Sequence, residues 1–390
     1  MKYSILTCSI SHRAGGLFQA IKDLYMQNIF LKEDITIFSF IDKETYKDIK
    51  EWKHIKIYLA KDYFFSFYSI KLKKSILSSN ADILHIHGLW RFPHLFINTW
   101  DKKRKSPILC TPHGMLDPYI IAKQGKLKRY ISSLFFDSAL NKITCFHALC
   151  KKEALDIRAY GLTQPIAIIP NGVELPTSII HTTIDKKKQL LYLGRIHPKK
   201  GIDLLLYAIK NIAENNIHFF EDWHIDIVGW DHENTLCKLK KIIEKNNLCN
   251  YITFHGELYG DKKNEIFSSA NAFILPSHGE GLPMSILEAW SWKLPVLMTE
   301  QCNLPEGFKY EAAIKIEDNT QSVINGLYQL FHMSESQLNT MGENGYKLVK
   351  THFSWECSAQ KMVELYNWLT KKGKKPEFIY LYDTPIDTNI

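Results

Sequence analysis

The chain has 390 residues, 45% of them hydrophobic and 23% charged, with a formal net charge of +8. That length is too great for one ordinary core and suits two domains of common size, and the composition is that of a soluble globular protein. No apolar run approaches the length needed to span a bilayer, and eight scattered cysteines without CxxC pairs read as reduced thiols in a cytosolic protein.

The N-terminus, MKYSILTCSISHRAGG, has no adequate apolar region or small-residue cleavage site and reads as a first strand. Further apolar runs follow: DITIFSFI, ADILHIHG, PILCTPHG and PIAIIPNG in the first half, then QLLYLGRI, WHIDIVGW, YITFHGEL, NAFILPS and LPVLMTE. Between them lie amphipathic stretches such as GIDLLLYAIKNIAENN (201–216). Buried runs alternating with helices predict an α/β protein, each half a doubly wound, Rossmann-like parallel sheet with crossover helices. The join is placed in IPNGVELPTS (169–178), where Asn-Gly and Pro act as punctuation. Charge is uneven: residues 1–170 hold 26 Lys+Arg against 14 Asp+Glu, and the rest of the chain 23 against 27. The first half therefore faces an anionic partner, with nucleic acid, a membrane surface and a phosphorylated substrate all open on charge alone.

In such sheets ligands bind beyond the carboxyl ends of the strands. Three corners there carry unusual residues. After the first strand, Gly15-Gly16 opens a helix and lets a phosphate approach backbone N–H groups. After QLLYLGRI, the residues Gly194, Arg195, Lys199, Lys200 and Gly201 place two kinds of cation beside a helix start, a good setting for a diphosphate. In SHGEGLPMSILEAWSWKLPVLMT (277–299), Glu280 precedes and Glu288 lies within a predicted helix whose first turn takes Pro283. An eight-residue offset along a helix is about 12 Å, too far to share a proton. Two carboxylates accepting from separate hydroxyls of one polyol ligand fit that spacing better, and helix-dipole complementarity is the bland alternative for either residue.

PSHGEGLPMSILEAWSWKLPVLMT resembles the paired-glutamate signature of retaining, nucleotide-sugar-dependent glycosyltransferases of family four, with the GT-B architecture. LGRIHPKKGIDLLL resembles that family's phosphate loop, and DILHIHGLW (82–90) and TPHGMLDP (111–118) its acceptor-domain segments. FSWECSAQKMVELYNWL (353–369) resembles the closing helix that packs back on the first domain. The resemblance implies two domains facing across a cleft: 1–170 joined by 355–390 for the acceptor, and 171–354 for the nucleotide-sugar.

It also implies residue roles. Arg195 and Lys200 hold the donor diphosphate and stabilise charge on the leaving group, Glu280 accepts from hydroxyls of the donor sugar, and Glu288 accepts from those of the ribose. Backbone N–H groups of Gly281, Leu282 and Met284 assist, Gly16 admits the diphosphate from the acceptor domain, and His113 lies near the transferred sugar. The nucleobase, of a UDP- or GDP-sugar, rests near His255, Gly256, Glu257 and Leu258. His85 and His87 are assigned to packing, with His87 a weaker acceptor-site candidate. The implied reaction moves a hexose-type sugar, with retention, to a glycan or lipid-diphosphate-linked acceptor in bacterial surface polysaccharide synthesis. No cofactor and no metal are expected, since no DxD motif follows a strand; Asp231-His232-Glu233 is the one cluster worth a metal test. Lys293 replaces the family's usual glycine after the helix, and GEGLP departs from the common loop, which leaves the donor sugar open.

Aromatics Tyr63, Phe64, Phe65, Phe67 and Tyr68 interleave with Lys71, Lys73 and Lys74, and basic clusters recur at 102–105 and at Lys123, Lys126, Lys128 and Arg129. Such segments favour peripheral contact with an anionic membrane. No nucleic-acid-binding module is legible, so nucleic acid is not expected as a partner. A basic nucleic-acid-binding protein, or another GT-B enzyme such as an epimerase or phosphorylase, is the alternative reading.

Overall fold

The computed structural model describes residues 1–61, 69–89, 95–122, 136–179, 187–231 and 235–386. The chain divides into two compact units, Met1–Gly172 with the C-terminal segment from Trp355, and Val173–Ser354.

The first unit is built on strands β1 (Lys2–Leu6), β2 (Asp34–Phe40), β3 (Lys56–Ala60), β4 (Ile83–His87), β5 (Ile108–Thr111), β6 (Cys145–Ala148) and β7 (Ile166–Ile168). Their order across the sheet is β7-β6-β5-β4-β1-β2-β3, with all neighbours parallel. A two-residue strand, Ile379–Tyr380, adds to β7 antiparallel, so the sheet is not wholly parallel as the repeating pattern predicts. Two strands fall outside the predicted runs. β3 is half-exposed along most of its length, and β6, CFHA, has only four residues and carries a buried histidine. The helices that matter here are α1 (Gly16–Tyr25), which follows β1, and α2 (Lys151–Ala159), which follows β6. The closing helix, Trp355–Leu369, buries Trp355, Met362, Leu365 and Tyr366 in one core with Tyr3, Tyr25 and Phe30, which ties the chain's end to the first unit.

The second unit carries six parallel strands: β8 (Lys188–Leu193), β9 (Trp223–Val228), β10 (Ile252–Gly256), β11 (Ala272–Leu275), β12 (Val296–Thr299) and β13 (Ala313–Ile316). Their order is β10-β9-β8-β11-β12-β13. Buried on both faces, the central strands read as continuous apolar runs, while the edge strand β13, AIKI, is partly exposed and gave no such signal. From β8 the chain winds to one side through β9 and β10, then returns to β11 and winds to the other. β8 and β11 therefore flank a topological switch point, where the loops leaving their carboxyl ends diverge and leave room for a ligand. β1 and β4 do the same in the first unit. Helices α3 (Ile202–Asn215), α4 (Gly260–Ser269) and α5 (Met284–Ser291) follow β8, β10 and β11.

Candidate active site

At the second unit's switch point, β8 runs out through Gly194 and Arg195 into a short 3₁₀ turn, Pro198–Lys200. His197 begins that turn, its Nδ1 accepting from the Lys199 N–H at 3.0 Å. Gly201 ends it in the left-handed region at φ +67 and leads into α3. A Cβ there would stand 1.9 Å from the Pro276 carbonyl oxygen, so only glycine lets the β8 turn seat against the end of β11. The two loops are then stitched together, with Lys199 O accepting from the His278 N–H at 2.9 Å and the Ser277 hydroxyl at 3.0 Å.

That seating brings together the two residues the sequence separates by eighty positions. Lys200 Nζ lies 2.7 Å from Glu280 Oε1, with the side chains only 14% and 10% exposed. The Glu280 loop is fixed from its other side by the corner after β12. The Glu280 N–H donates to Gln301 O at 2.8 Å, and Asn303 Nδ2 donates to Glu280 O at 2.5 Å. Asn303 adopts φ +56, a left-handed conformation asparagine tolerates. Neither Gln301 nor Asn303 is flagged by spacing in the sequence, because both act through the folded corner.

Pro283 is the N-cap of α5, with φ −77 and ψ 94, rather than part of its first turn; its extended ψ directs the chain from the loop into the helix. Glu288 lies in the second turn of α5, where Oε1 accepts from Lys263 Nζ of α4 at 2.7 Å. Lys263, like Gln301 and Asn303, is a residue to which the sequence reading assigns no role. Arg195 is exposed, and its carbonyl accepts from the buried Tyr192 hydroxyl at 3.1 Å. Burial first, and then the nearby Glu280 carboxylate, hold that hydroxyl's pKa well above the usual phenol range. Gly281 is exposed and Leu282 and Met284 half-buried, all beside Glu280 at the start of α5.

At the end of β10, His255 Nε2 is 2.6 Å from Asp226 Oδ1, Gly256 takes φ +71, and Leu258 is half-buried. Asp231 Oδ1 accepts from the Leu236 N–H; His232 and Glu233 lie outside the described residues.

In the first unit, Gly15 at φ +57 begins α1 and Gly16 is its first residue. The loop before them is fastened by two acids, the Ser9 and Ser11 hydroxyls donating to Asp42 and the His12 N–H to Asp48. His113 follows β5 with φ +55, and its Nε2 stands 3.0 Å from His87 Nδ1. Behind this pair lies a buried polar chain. His147 Nε2 is 2.7 Å from Ile169 O, and because a carbonyl only accepts, that nitrogen carries the proton. His147 Nδ1 then accepts from the Thr111 hydroxyl at 2.8 Å, and Thr111 accepts from His85 Nε2 at 2.7 Å. His85 Nδ1 is left as an acceptor, 2.8 and 2.7 Å from the Tyr25 and Tyr366 hydroxyls; these stand 2.7 Å from each other, so one donates to the ring and the other to its neighbouring hydroxyl. Burial, reinforced by the neighbouring imidazoles, keeps His85 and His87 well below the usual histidine range and pushes His113 down to about 3. Burial likewise brings His147 down to about 4 against the pull of the Ile169 carbonyl.

Comparison with known proteins adds to this geometry. Residues 178–348 match the model of the glycosyl transferases group 1, and residues 36–176 that of glycosyltransferase family 4. An uncharacterised glycosyltransferase of Methanocaldococcus jannaschii is 25% identical over 91% of this chain and 95% of its own length. An Escherichia coli enzyme, UDP-Gal:alpha-D-GlcNAc-diphosphoundecaprenol alpha-1,3-galactosyltransferase, is 27% identical over 76% of this chain and 78% of its own. The solved structure of Anabaena HepE in complex with UDP and glucose superposes with a TM-score of 0.73 at 14% identity, covering 94% of this chain and all of HepE, a likeness of fold. Fold and matches together define the class as a glycosyltransferase of the GT-B architecture. Within that class, the chain belongs to the group 1, family-four glycosyltransferases.

Proposed function

We propose that the protein transfers a hexose-type sugar from a UDP- or GDP-sugar, with retention and without a metal, to a glycan or lipid-diphosphate-linked acceptor in bacterial surface polysaccharide synthesis. The observation that carries this reading is the Lys200–Glu280 pair at the β8/β11 switch point, with Arg195 beside it. A cation and a carboxylate held next to each other match the two ends of a sugar diphosphate. Lys200 and Arg195 take the phosphate oxygens as the glycosidic bond lengthens, and Glu280 accepts from hydroxyls of the sugar. Glu288, oriented by Lys263, accepts from the ribose hydroxyls, and the backbone N–H groups of Gly281, Leu282 and Met284 face the same ligand. Gly16 admits the diphosphate to the first unit's loop, and His113 contacts the transferred sugar, donating or accepting as a neutral imidazole. The nucleobase lies by Gly256 and Leu258. The incoming hydroxyl attacks the anomeric carbon from the side the diphosphate leaves, and the departing phosphate oxygen takes its proton, so no enzymic nucleophile is needed.

The relative acting on a diphosphoundecaprenol-linked sugar supports a lipid-linked acceptor, as does the basic first half. A panel of UDP-, GDP- and ADP-sugars read by thermal shift, followed by product analysis with the stabilising donor, tests the reading. Stabilisation by none of them would remove it, and an anomeric configuration inverted in the product would remove retention.

A further inference from the structure

The loop that carries His113 is held by a residue from a different part of the sheet. Glu153 stands in the first turn of α2, forty residues further along the chain, and is only 4% exposed. Its Oε1 accepts from the Gly114 N–H at 2.6 Å and its Oε2 from the Leu149 N–H at 2.7 Å. A glutamate at this helix position ordinarily reaches back to the N-cap amide and does no more. Here one oxygen serves the start of α2, and the other crosses to the loop after β5, on the amide directly following His113.

His113 needs such support. It is a non-glycine residue at φ +55, a conformation that costs about 1–3 kcal/mol unless its surroundings fix it. Side chains from outside the loop add to its own turn hydrogen bonds, Met115 N–H to Pro112 O and Asp117 N–H to Gly114 O. Glu153 takes the Gly114 amide, His87 meets the imidazole, and Lys152, next to Glu153, lies 3.6 Å from Asp117 at the far end of the loop. The first is the shortest of these: both Glu153 oxygens are occupied by backbone N–H groups, and while burial raises the carboxyl's pKa, the Gly114 and Leu149 amides pull it back toward the carboxylate. We propose that Glu153 is a positioning residue for His113: its carboxylate sets the backbone that aims the imidazole, and the start of α2 serves as the latch of the acceptor-side loop. The catalytic consequence rests on the reading of His113 as a contact of the transferred sugar; the positioning itself does not.

The test uses the full chain, labelled with ¹³C at histidine Cε1, as wild type, Glu153→Ala, Glu153→Gln, His113→Ala and the double variant Glu153→Ala/His113→Ala. The His113 signal is the one lost in His113→Ala. In Glu153→Ala that signal is expected to shift and broaden, while those of His255 and His278 in the second unit stay in place. With UDP-glucose as the donor probe, UDP release in Glu153→Ala should fall tenfold or more in kcat with KM within twofold. The double variant should be no more than twofold slower than His113→Ala. Glu153→Gln, which keeps one acceptor oxygen, should show the same changes at smaller size and serves in place of Glu153→Ala if the latter fails to fold. A folded variant with a lower melting temperature but an unmoved His113 signal would reduce Glu153 to a helix cap and overturn the inference. Normal turnover of His113→Ala beside a shifted His113 signal in Glu153→Ala would instead end the proposed role of His113 and leave the latch standing. The spectroscopic arm needs no donor, so it decides the latch even if UDP-glucose is not turned over.

Discussion

Lys200 and Glu280 neutralise one another across the β8 and β11 loops at 2.7 Å, both nearly buried. A buried pair of this kind is costly to break from one side, because the charge left behind has lost both partner and water. Lys200→Met should therefore destabilise the second unit by about 3 kcal/mol, roughly 6–12 °C in melting temperature for a domain of this size. Combining it with Glu280→Gln should recover most of the loss. The functional signature differs from the stability one. Glu280→Ala should abolish transfer while leaving nucleotide binding largely intact, whereas Arg195→Ala, at an exposed position, should weaken both. Normal transfer by Glu280→Ala, measured with the donor found by thermal shift, would reject the sugar-binding role.

The pair exists only because Gly201 lets the two loops touch. Gly201→Ala introduces a side chain both at φ +67 and 1.9 Å from Pro276 O. Strain of that kind costs about 2 kcal/mol or more. Since the clash is relieved by separating the loops, the variant should also lose donor binding. Urea unfolding together with nucleotide titration checks both effects, and a stable variant that still binds would show that the loops need not meet.

The sheets and the switch points were legible because buried parallel strands leave continuous apolar runs, and the corners because glycine, proline and clustered charge punctuate them. What the sequence did not disclose has a common cause. β3 and β13 lie toward sheet edges and are partly polar, β6 hides a functional-looking histidine in four residues, and the antiparallel Ile379–Tyr380 is too short for any period. Lys263, Asn303 and Glu153 act on residues 25, 23 and 39 positions away through folded corners, so no local spacing marks them. The hydroxyl-imidazole chain joining Tyr25, His85, Thr111, His147 and Tyr366 draws on five separate elements and is visible only once they pack.

Lys263 gives a contrast with Lys200. Its pair with Glu288 has side chains 28% and 23% exposed, and partly hydrated pairs contribute no more than about 1 kcal/mol. Lys263→Met should leave the melting temperature nearly unchanged. If Lys263 orients the Glu288 carboxylate toward ribose hydroxyls, the nucleotide Kd should rise five- to tenfold, while the 2′-deoxy nucleotide, which lacks one of those hydroxyls, should be affected less. Equal weakening of both nucleotides would show that Lys263 does not work through the ribose.

Acid should unfold the first unit. His85, His87, His113 and His147 are neutral in the folded unit because burial holds them far below the 6.5 of a free imidazole. The unfolded chain takes up protons at these positions as pH falls through 6.5, and the folded unit does not until about 4 for His147 and about 3 for His113. Their contribution is thus constant above 6.5 and is lost below it. The loss is about 1 kcal/mol per histidine between pH 6.5 and 5.5, or about 4 for the four together. Hydrogen exchange at pH 7.5, 6.5 and 5.5 should show amides of β4, β5 and β6 losing protection on acidification. Protection unchanged at pH 5.5 would mean that the four rings are protonated without unfolding.

The basic first half makes a last claim testable. No helix among the described residues is long and apolar enough to cross a membrane, and the contact expected here is an electrostatic one made by exposed lysines. The helix Ile70–Ser78 exposes Ile70 beside Lys71 and Lys74, and it packs against Leu95–Arg104, which ends with Lys102 and Lys103 exposed. The aromatics at 63–68 and the cluster at 123–129 lie outside the described residues. Each lysine near an anionic surface contributes about 1 kcal/mol, and the attraction fades once salt shortens the screening length below the contact distance. The protein should therefore sediment with phosphatidylglycerol vesicles at low salt, be released by moderate salt, and ignore pure phosphatidylcholine. Lys71→Glu with Lys74→Glu should cut vesicle binding more than tenfold without changing the melting temperature, because both side chains are exposed. Binding that persists in the charge-reversed variant would place the contact elsewhere, and sedimentation indifferent to lipid charge would end the electrostatic account.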